Sequence, residues 1–189
     1  MVTEKKTYGN KDRQPFFLNL QSLALRNDNS MLSLSFRDGY PRFVISKNDK
    51  VSGKYMDNNI FIRLDGMMLD YIASLIRDVA NNIKCDEEIS CLYGYDSEGK
   101  KVDVNVVDGV IRIYKSEDGY IWLAFTHYGE VFKYVLKPDK VWFTIKSNGI
   151  DITDKPSVSK RYAVSYANII GALVTDAVIA TSKHYHDIK

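Results

Sequence analysis

The sequence predicts an α+β protein made of two tandem ββββα units, whose antiparallel curved sheets pack through two helices as a pseudo-dimer. Three observations lead there. Residues 109–146 alternate apolar and other residues, interrupted by turn clusters at Ser116–Gly119, His127–Glu130 and Pro138–Lys140. Period-2 alternation between turns marks antiparallel strands with one face in a core. Two stretches, 67–82 and 161–180, instead repeat their apolar residues at helical spacing. The order of strands then helix occurs twice, which points to an internal duplication.

Residues 1–15 are polar and aperiodic, a tail by composition. The first unit, 16–82, opens with FFLNLQSLALR, a turn at NDNS, MLSLSFR, a turn at DGYP, and RFVISK. Leu32, Leu34 and Phe36 share one face of their strand, while Ser33, Ser35 and Arg37 share the other. Residues 48–58 form a polar loop before a fourth strand, IFIRL. Asp65 is an N-cap candidate for the helix, whose Leu69, Ile72, Leu75, Ile76 and Val79 form one stripe. Residues 83–108 read as a linking hairpin, with CLYGY and VDVNVV flanking DSEGK. The second unit, 109–183, has four strands within 109–146, separated by the turn clusters already named. A polar loop at 147–156 leads into the second helix, and 184–189 is a tail.

The units overlay in order. LSLSF (32–36) lies over IWLAF (121–125), RFVISKND (42–49) over KYVLKPDK (133–140), IFIRL (60–64) over VWFTI (141–145), and SLIRDVA (74–80) over ALVTDAV (172–178). A sheet with one helix cannot bury both its sheet face and its helix stripe alone. Pairing two such units helix to helix closes the core.

Composition bounds the function classes. Hydrophobic content of 45% in 189 residues suits a folded domain, and 13 tyrosines with eight phenylalanines suit a sheet protein. The net charge of +2 means that any positive patch is local. There is no apolar run long enough for a membrane span, and the opening MVTEKKTYGNKDRQP is too polar for a signal peptide. Cys85 and Cys91 do not make a disulfide framework, so reduced thiols and a cytoplasmic location are expected.

In the second unit one strand face takes Ile111, Ile113, Ile121, Leu123, Phe125, Phe132, Tyr134, Leu136, Val141, Phe143 and Ile145. The other takes Arg112, Tyr114, Trp122, Lys133, Lys137, Trp142 and Lys146. Both tryptophans of the chain thus stand beside lysines and an arginine, offering flat π surfaces for bases and positive charge for phosphates. The equivalent side of the first unit has Arg26, Arg37, Arg42, Phe61 and Arg63, with Phe61 aligned to Trp142 and Arg42 to Lys133. The serine positions Ser22, Ser33 and Ser35 make that unit less aromatic. A second reading stays open, in which these aromatics pack under the hairpin or the other helix and the lysines are simply solvated.

Tandem four-strand-plus-helix units with a basic, aromatic sheet face resemble the positive-cofactor-four and Whirly class of single-stranded-DNA-binding proteins. The resemblance covers residues 16–181 and rests on the paired strands and helices quoted above. The lysine-glycine-lysine strand signature of plant Whirly proteins is absent, and the 90–107 hairpin is an addition. The Pur-alpha fold has a similar element order. The resemblance implies low-specificity binding of single-stranded DNA, or of RNA, across the twelve residues just named. Replication, recombination or transcription would be the setting, with replication or transcription proteins as further partners. It implies a monomeric pseudo-dimer or a homodimer, no cofactor and no membrane. With no organelle-targeting segment, a compact prokaryotic or bacteriophage member, in the host cytoplasm if viral, is expected. The rival class is a structural or adaptor module, such as a phage virion protein, using the same face as a protein interface.

Motifs for catalysis are missing. The chain has no nucleophile elbow, phosphate-cradling glycine loop, zinc-protease or kinase signature, so it is not expected to be an enzyme. His184 and His186 form an HxH pair followed by Asp187, which reads as tail, and Cys85 and Cys91 lack the partners of a zinc site. His127 and Tyr128 fall in a turn. Asp78 and Asp176 occupy matching helix positions and read as solvent-facing or helix–helix residues.

Overall fold

A computed structural model describes residues 17–37, 39–48, 59–84, 86–92, 107–139 and 143–187; for 17–19, 21–22, 92, 107–108, 178 and 181–187 it describes the backbone alone. The expected tail at 1–15 and the tip of the 83–108 hairpin lie outside these residues. The elements are β1 (Phe17–Arg26), β2 (Ser30–Arg37), β3 (Tyr40–Lys47), β4 (Ile60–Arg63), α1 (Gly66–Ala80), β5 (Asp86–Leu92), β6 (Val107–Lys115), β7 (Ile121–His127), β8 (Glu130–Val135), β9 (Lys146–Ser147), β10 (Ile150–Asp151) and α2 (Pro156–Asp187). Two four-stranded antiparallel sheets, β1-β2-β3-β4 and β5-β6-β7-β8, are each followed by a helix, which is the expected α+β architecture.

The first sheet follows from its alternation. Pairing of Leu32 with Ile45, Leu34 with Phe43 and Phe43 with Ile62 puts the apolar residues on one face, where all are fully buried. The helix after β4 starts where the Asp65 carboxylate accepts a hydrogen bond from the Met68 N–H at 2.6 Å, satisfying an orphan donor of the first turn. It stops at Asn82, whose φ of 59° is left-handed. There the Ile83 N–H bonds the Asp78 carbonyl at 2.9 Å and the Asn82 N–H bonds the Val79 carbonyl at 3.2 Å, a Schellman cap.

The second sheet corrects the strand assignment. Its first strand is β5, from the stretch read as a linking hairpin, and it pairs antiparallel with β6 from Asp86–Tyr114 to Leu92–Val107. The acidic sequence DEEISCL hides a strand because an edge strand contributes little to the core, here chiefly Ile89 and Cys91. The strand expected at 141–145 is not the fourth strand: 143–145 are irregular, and Phe143 and Ile145 are exposed rather than in the core. The overlay of the two units is therefore one strand out of step. By position in the sheet, β2 corresponds to β6 and β3 to β7, so the equivalence of Arg42 with Lys133 does not hold, and that of Phe61 with Trp142 lies outside the described residues. Within the stretch read as a polar loop, Asn148 and Gly149 have φ of 50° and 79° and join β9 to β10. Successive positive-φ residues at an Asn-Gly pair make a type I′ hairpin turn.

One core serves both units. The Phe43 ring from β3 meets the Phe125 ring from β7 edge to face at 5.1 Å, and Phe125 meets Tyr134 at 6.3 Å. The Tyr134 hydroxyl shares a buried hydrogen bond of 2.7 Å with the Ser30 hydroxyl, tying β8 to β2. At the surface of this junction, Lys47 pairs with Glu130 at 2.5 Å, and the Asn27 amide donates to the Lys133 carbonyl at 3.0 Å. The helices run antiparallel and close. A Cβ at Gly66 would lie 2.9 Å from Val174, and one at Gly171 would lie 3.3 Å from Asp70. Ser159 at the start of α2 accepts the Ile121 N–H at 3.0 Å, fixing that helix to β7. Beginning at Pro156 and reaching Asp187, α2 starts earlier than 161 and runs through the expected tail at His184 and His186. Among the described residues no helix is long and apolar enough to cross a membrane.

Because Phe43 belongs to the first unit and packs on the second, Phe43→Ala is expected to destabilise the chain by about 3–5 kcal/mol. Urea unfolding followed by far-UV circular dichroism and by tryptophan emission should give coincident transitions for the variant, both shifted. Separate transitions would mean that the units unfold independently.

Candidate nucleic-acid interface

Strand register sets the outer face of the second sheet. One row across it is Asp86, Tyr114, Trp122 and Val135; the next is Glu88, Arg112, Ala124 and Lys133. The Tyr114 and Trp122 rings stack, 6.4 Å between centroids and 10° between planes. The Trp122 indole N–H donates to the Ser116 hydroxyl at 3.3 Å, which fixes the ring's orientation. The Arg112 guanidinium lies over the Tyr114 ring, 5.0 Å from its centroid. Both rings are half-buried, Arg112 and Lys133 are exposed, and Ala124 lies buried between the two long cations. The result is an open shelf with two stacked rings and a cation on either side of a small residue.

Arg112 is held. Its Nε donates to Asp86 Oδ1 at 2.7 Å and its Nη2 to Asp86 Oδ2, a two-pronged ion pair. This pairing keeps the Asp86 carboxyl below the usual carboxylate range and raises the arginine. Burial pushes the Tyr114 phenol up, so it stays neutral. Lys133 follows Asn27 across the sheet junction and is exposed.

The first sheet presents a different surface. Its outer positions Met31, Ser33, Ser35, Val44 and Ser46 are buried, so the serine-rich face is not an open platform. Arg42 crosses it, donating to the Ser35 hydroxyl at 3.4 Å and lying 4.7 Å over the Phe61 ring. Arg63 sits opposite Arg42 in register, and Arg37 ends the neighbouring strand. Burial, then the like charges of Arg37 and Arg63, lower the Arg42 pKa. Three guanidinium groups thus converge at one end of this sheet beside one partly exposed phenylalanine.

The remaining residues scatter. Arg26 and Lys137 line a pocket of about 360 Å³ between the end of β1 and the segment after β8, with Asp139, Asp154 and Tyr162. Each is ion-paired there, Arg26 with Asp139 at 3.7 Å and Lys137 with Asp154 at 3.0 Å. Burial and the Asp139 charge raise the Tyr162 phenol. Val135 ends the aromatic row and lines this pocket too, so the shelf leads into it. Lys146 stands on the β9–β10 ribbon, which belongs to neither four-stranded sheet. Trp142 lies outside the described residues. Sequence reading missed Asp86, Glu88, Asp139 and Asp154, the acids beside these cations. The alternation in DEEISCL was the signal that could have placed the first two on the face.

Among the described residues no group of three or more His, Cys, Asp or Glu could hold a metal ion. Tyr128 and Gly129 occupy the turn after β7, at φ of 45° and 81°, while His127 is the last residue of that strand, its ring 4.4 Å from that of Tyr128.

If Tyr114 and Ser116 hold the indole as described, Tyr114→Ala should leave the fold intact and free Trp122. In a Trp142→Phe background, the emission should shift to the red and acrylamide quenching should rise. An unchanged spectrum would mean that the stack does not form in solution.

No protein-family model matches the chain, and neither does any curated protein. Among solved structures it is similar to the plant transcriptional regulator PBF-2, at 12% identity over 90% of this chain and 89% of that one, with a TM-score of 0.47. It is also similar to Trypanosoma bruciei MRP1/MRP2, at 9% identity over 89% of this chain and 85% of that one, with a TM-score of 0.38. At these values the likenesses assign neither a family nor an activity.

Proposed function

We propose that the chain binds single-stranded DNA, without catalysis and with little sequence preference, across the outer face of the second sheet. The observation that carries this reading is the stacked Tyr114–Trp122 pair on an open sheet face, flanked by Arg112 and Lys133. Every base has a π face, so stacking on such a pair adds about 1–3 kcal/mol per base whatever the sequence. Cations beside the rings suit the phosphates that join those bases, and they make affinity depend on salt. The guanidinium cluster of Arg37, Arg42 and Arg63 offers a second anionic contact, where Arg42 over Phe61 repeats the cation-on-ring arrangement on a smaller scale. The shelf is solvent-facing, with Arg112 and Lys133 exposed, which suits a polymer better than a small substrate.

Titration of a Trp142→Phe protein with oligothymidylate should quench Trp122 emission to saturation. The log–log salt dependence should have a slope of about −0.7 for each phosphate contacted, so two to four contacts give roughly −1.4 to −2.8. Trp122→Ala, read by anisotropy of a labelled oligonucleotide, should weaken binding about tenfold, as expected for one lost stack. Lys133→Gln should weaken it and flatten the salt slope. Tighter binding of oligouridylate would make RNA the ligand. No binding at low salt by a folded protein would leave the face as a protein interface.

A further inference from the structure

We infer that Asp86 is a built-in competitor for the phosphate backbone: its carboxylate holds Arg112 on Tyr114, and a single strand engages that arginine only by displacing it. The inference rests on the binding reading above and names what limits its affinity.

The geometry supports it at three points. First, the carboxylate meets both prongs of the guanidinium, at Nε and Nη2, which is how arginine also grips a phosphate. A strand cannot use that fork while Asp86 fills it. Second, the held guanidinium sits over the Tyr114 ring, in space that a stacking base needs. The one contact therefore restrains both a cation and an aromatic surface. Third, the pair is about half exposed, at 51% and 45% of the two side chains, so water and ions reach it. Exposed ion pairs are weak, and an incoming anion can exchange for the carboxylate. Asp86 thus lowers affinity without abolishing it.

Glu88 supplies the control. It lies directly across from Arg112 in register and carries the same charge on the same strand, while the fork of Arg112 is taken by Asp86. Neutralising Glu88 removes one negative charge from the face and leaves the fork closed. Neutralising Asp86 removes one charge and opens it.

The experiment is oligothymidylate titration at several salt concentrations with the whole chain and four variants: Asp86→Asn, Glu88→Gln, Arg112→Gln and the Asp86→Asn, Arg112→Gln double variant. Circular dichroism melts confirm that each is folded. Asp86→Asn should bind about fivefold or more tighter, with a salt slope steeper by about 0.7, the increment for one more phosphate on a single strand. Glu88→Gln should gain clearly less. Arg112→Gln should weaken binding, because it takes a cation from the face and leaves the Asp86 carboxylate without its partner. The double variant should lose the gain of Asp86→Asn. The inference is overturned if Asp86→Asn binds no tighter, if Glu88→Gln gains as much, or if the gain survives in the double variant. Failure of both the parent and Asp86→Asn to bind at low salt would overturn the binding reading itself. Parent binding without a gain in Asp86→Asn would overturn the competitor alone.

Discussion

The edge-to-face contact between Phe43 and Phe125 joins two sheets into one body, and most of the architecture depends on it. Neither sheet has enough of its own to cover its inner face. Around that contact gather Tyr134 with its buried bond to Ser30, the fully buried strand residues of both units, and the packed helices. Removing large aromatic volume from such a site leaves a cavity that close-packed neighbours fill only in part. The consequence for function is positional. With the inner faces committed to one another, chemistry is left to the outer faces, and the junction brings β8 beside the β1–β2 turn.

The two outer faces are not equal, despite the repeated element order. On the first, small and apolar residues are buried and the cations crowd toward one end. On the second, two rings lie in one row and two cations in the next, with solvent above them. A net charge of only +2 conceals this. Acids stand beside several of the cations, Asp86 with Arg112 on the sheet face, and Asp139 with Arg26 and Asp154 with Lys137 at the neighbouring pocket, so the surface carries less free positive charge than its sequence suggests. The binding proposed for this face would therefore rest on stacking first and charge second.

Much of the fold was legible in the sequence because period-2 and helical patterns report burial directly. The Leu32, Leu34 and Phe36 face, the Asp65 cap and the α1 stripe are where alternation and capping chemistry put them. What failed was strand identity in the second unit. An edge strand contributes few core residues, so the alternation in DEEISCL looked like a linker, while 143–145, read as part of an alternating strand, are irregular. One misassigned strand shifted the whole internal overlay and produced residue equivalences that the sheet order does not support. For the site, alternation placed Arg112, Tyr114, Trp122 and Lys133 on one face, since their neighbours in sequence are core residues. Ion pairing was not legible, because it depends on side chains brought across strands by register.

Backbone-amide chemical-shift mapping with oligothymidylate tests the central claim most directly, because it locates contact without altering a residue. The account predicts shifts concentrated on β6, β7 and β8 at Arg112, Tyr114, Trp122, Ala124 and Lys133, extending toward Asn27 and Lys137. The exposed side of α1 and α2 and the β9–β10 ribbon should stay unmoved. Shifts confined to the helices or the ribbon, or none at saturating oligonucleotide, would contradict it.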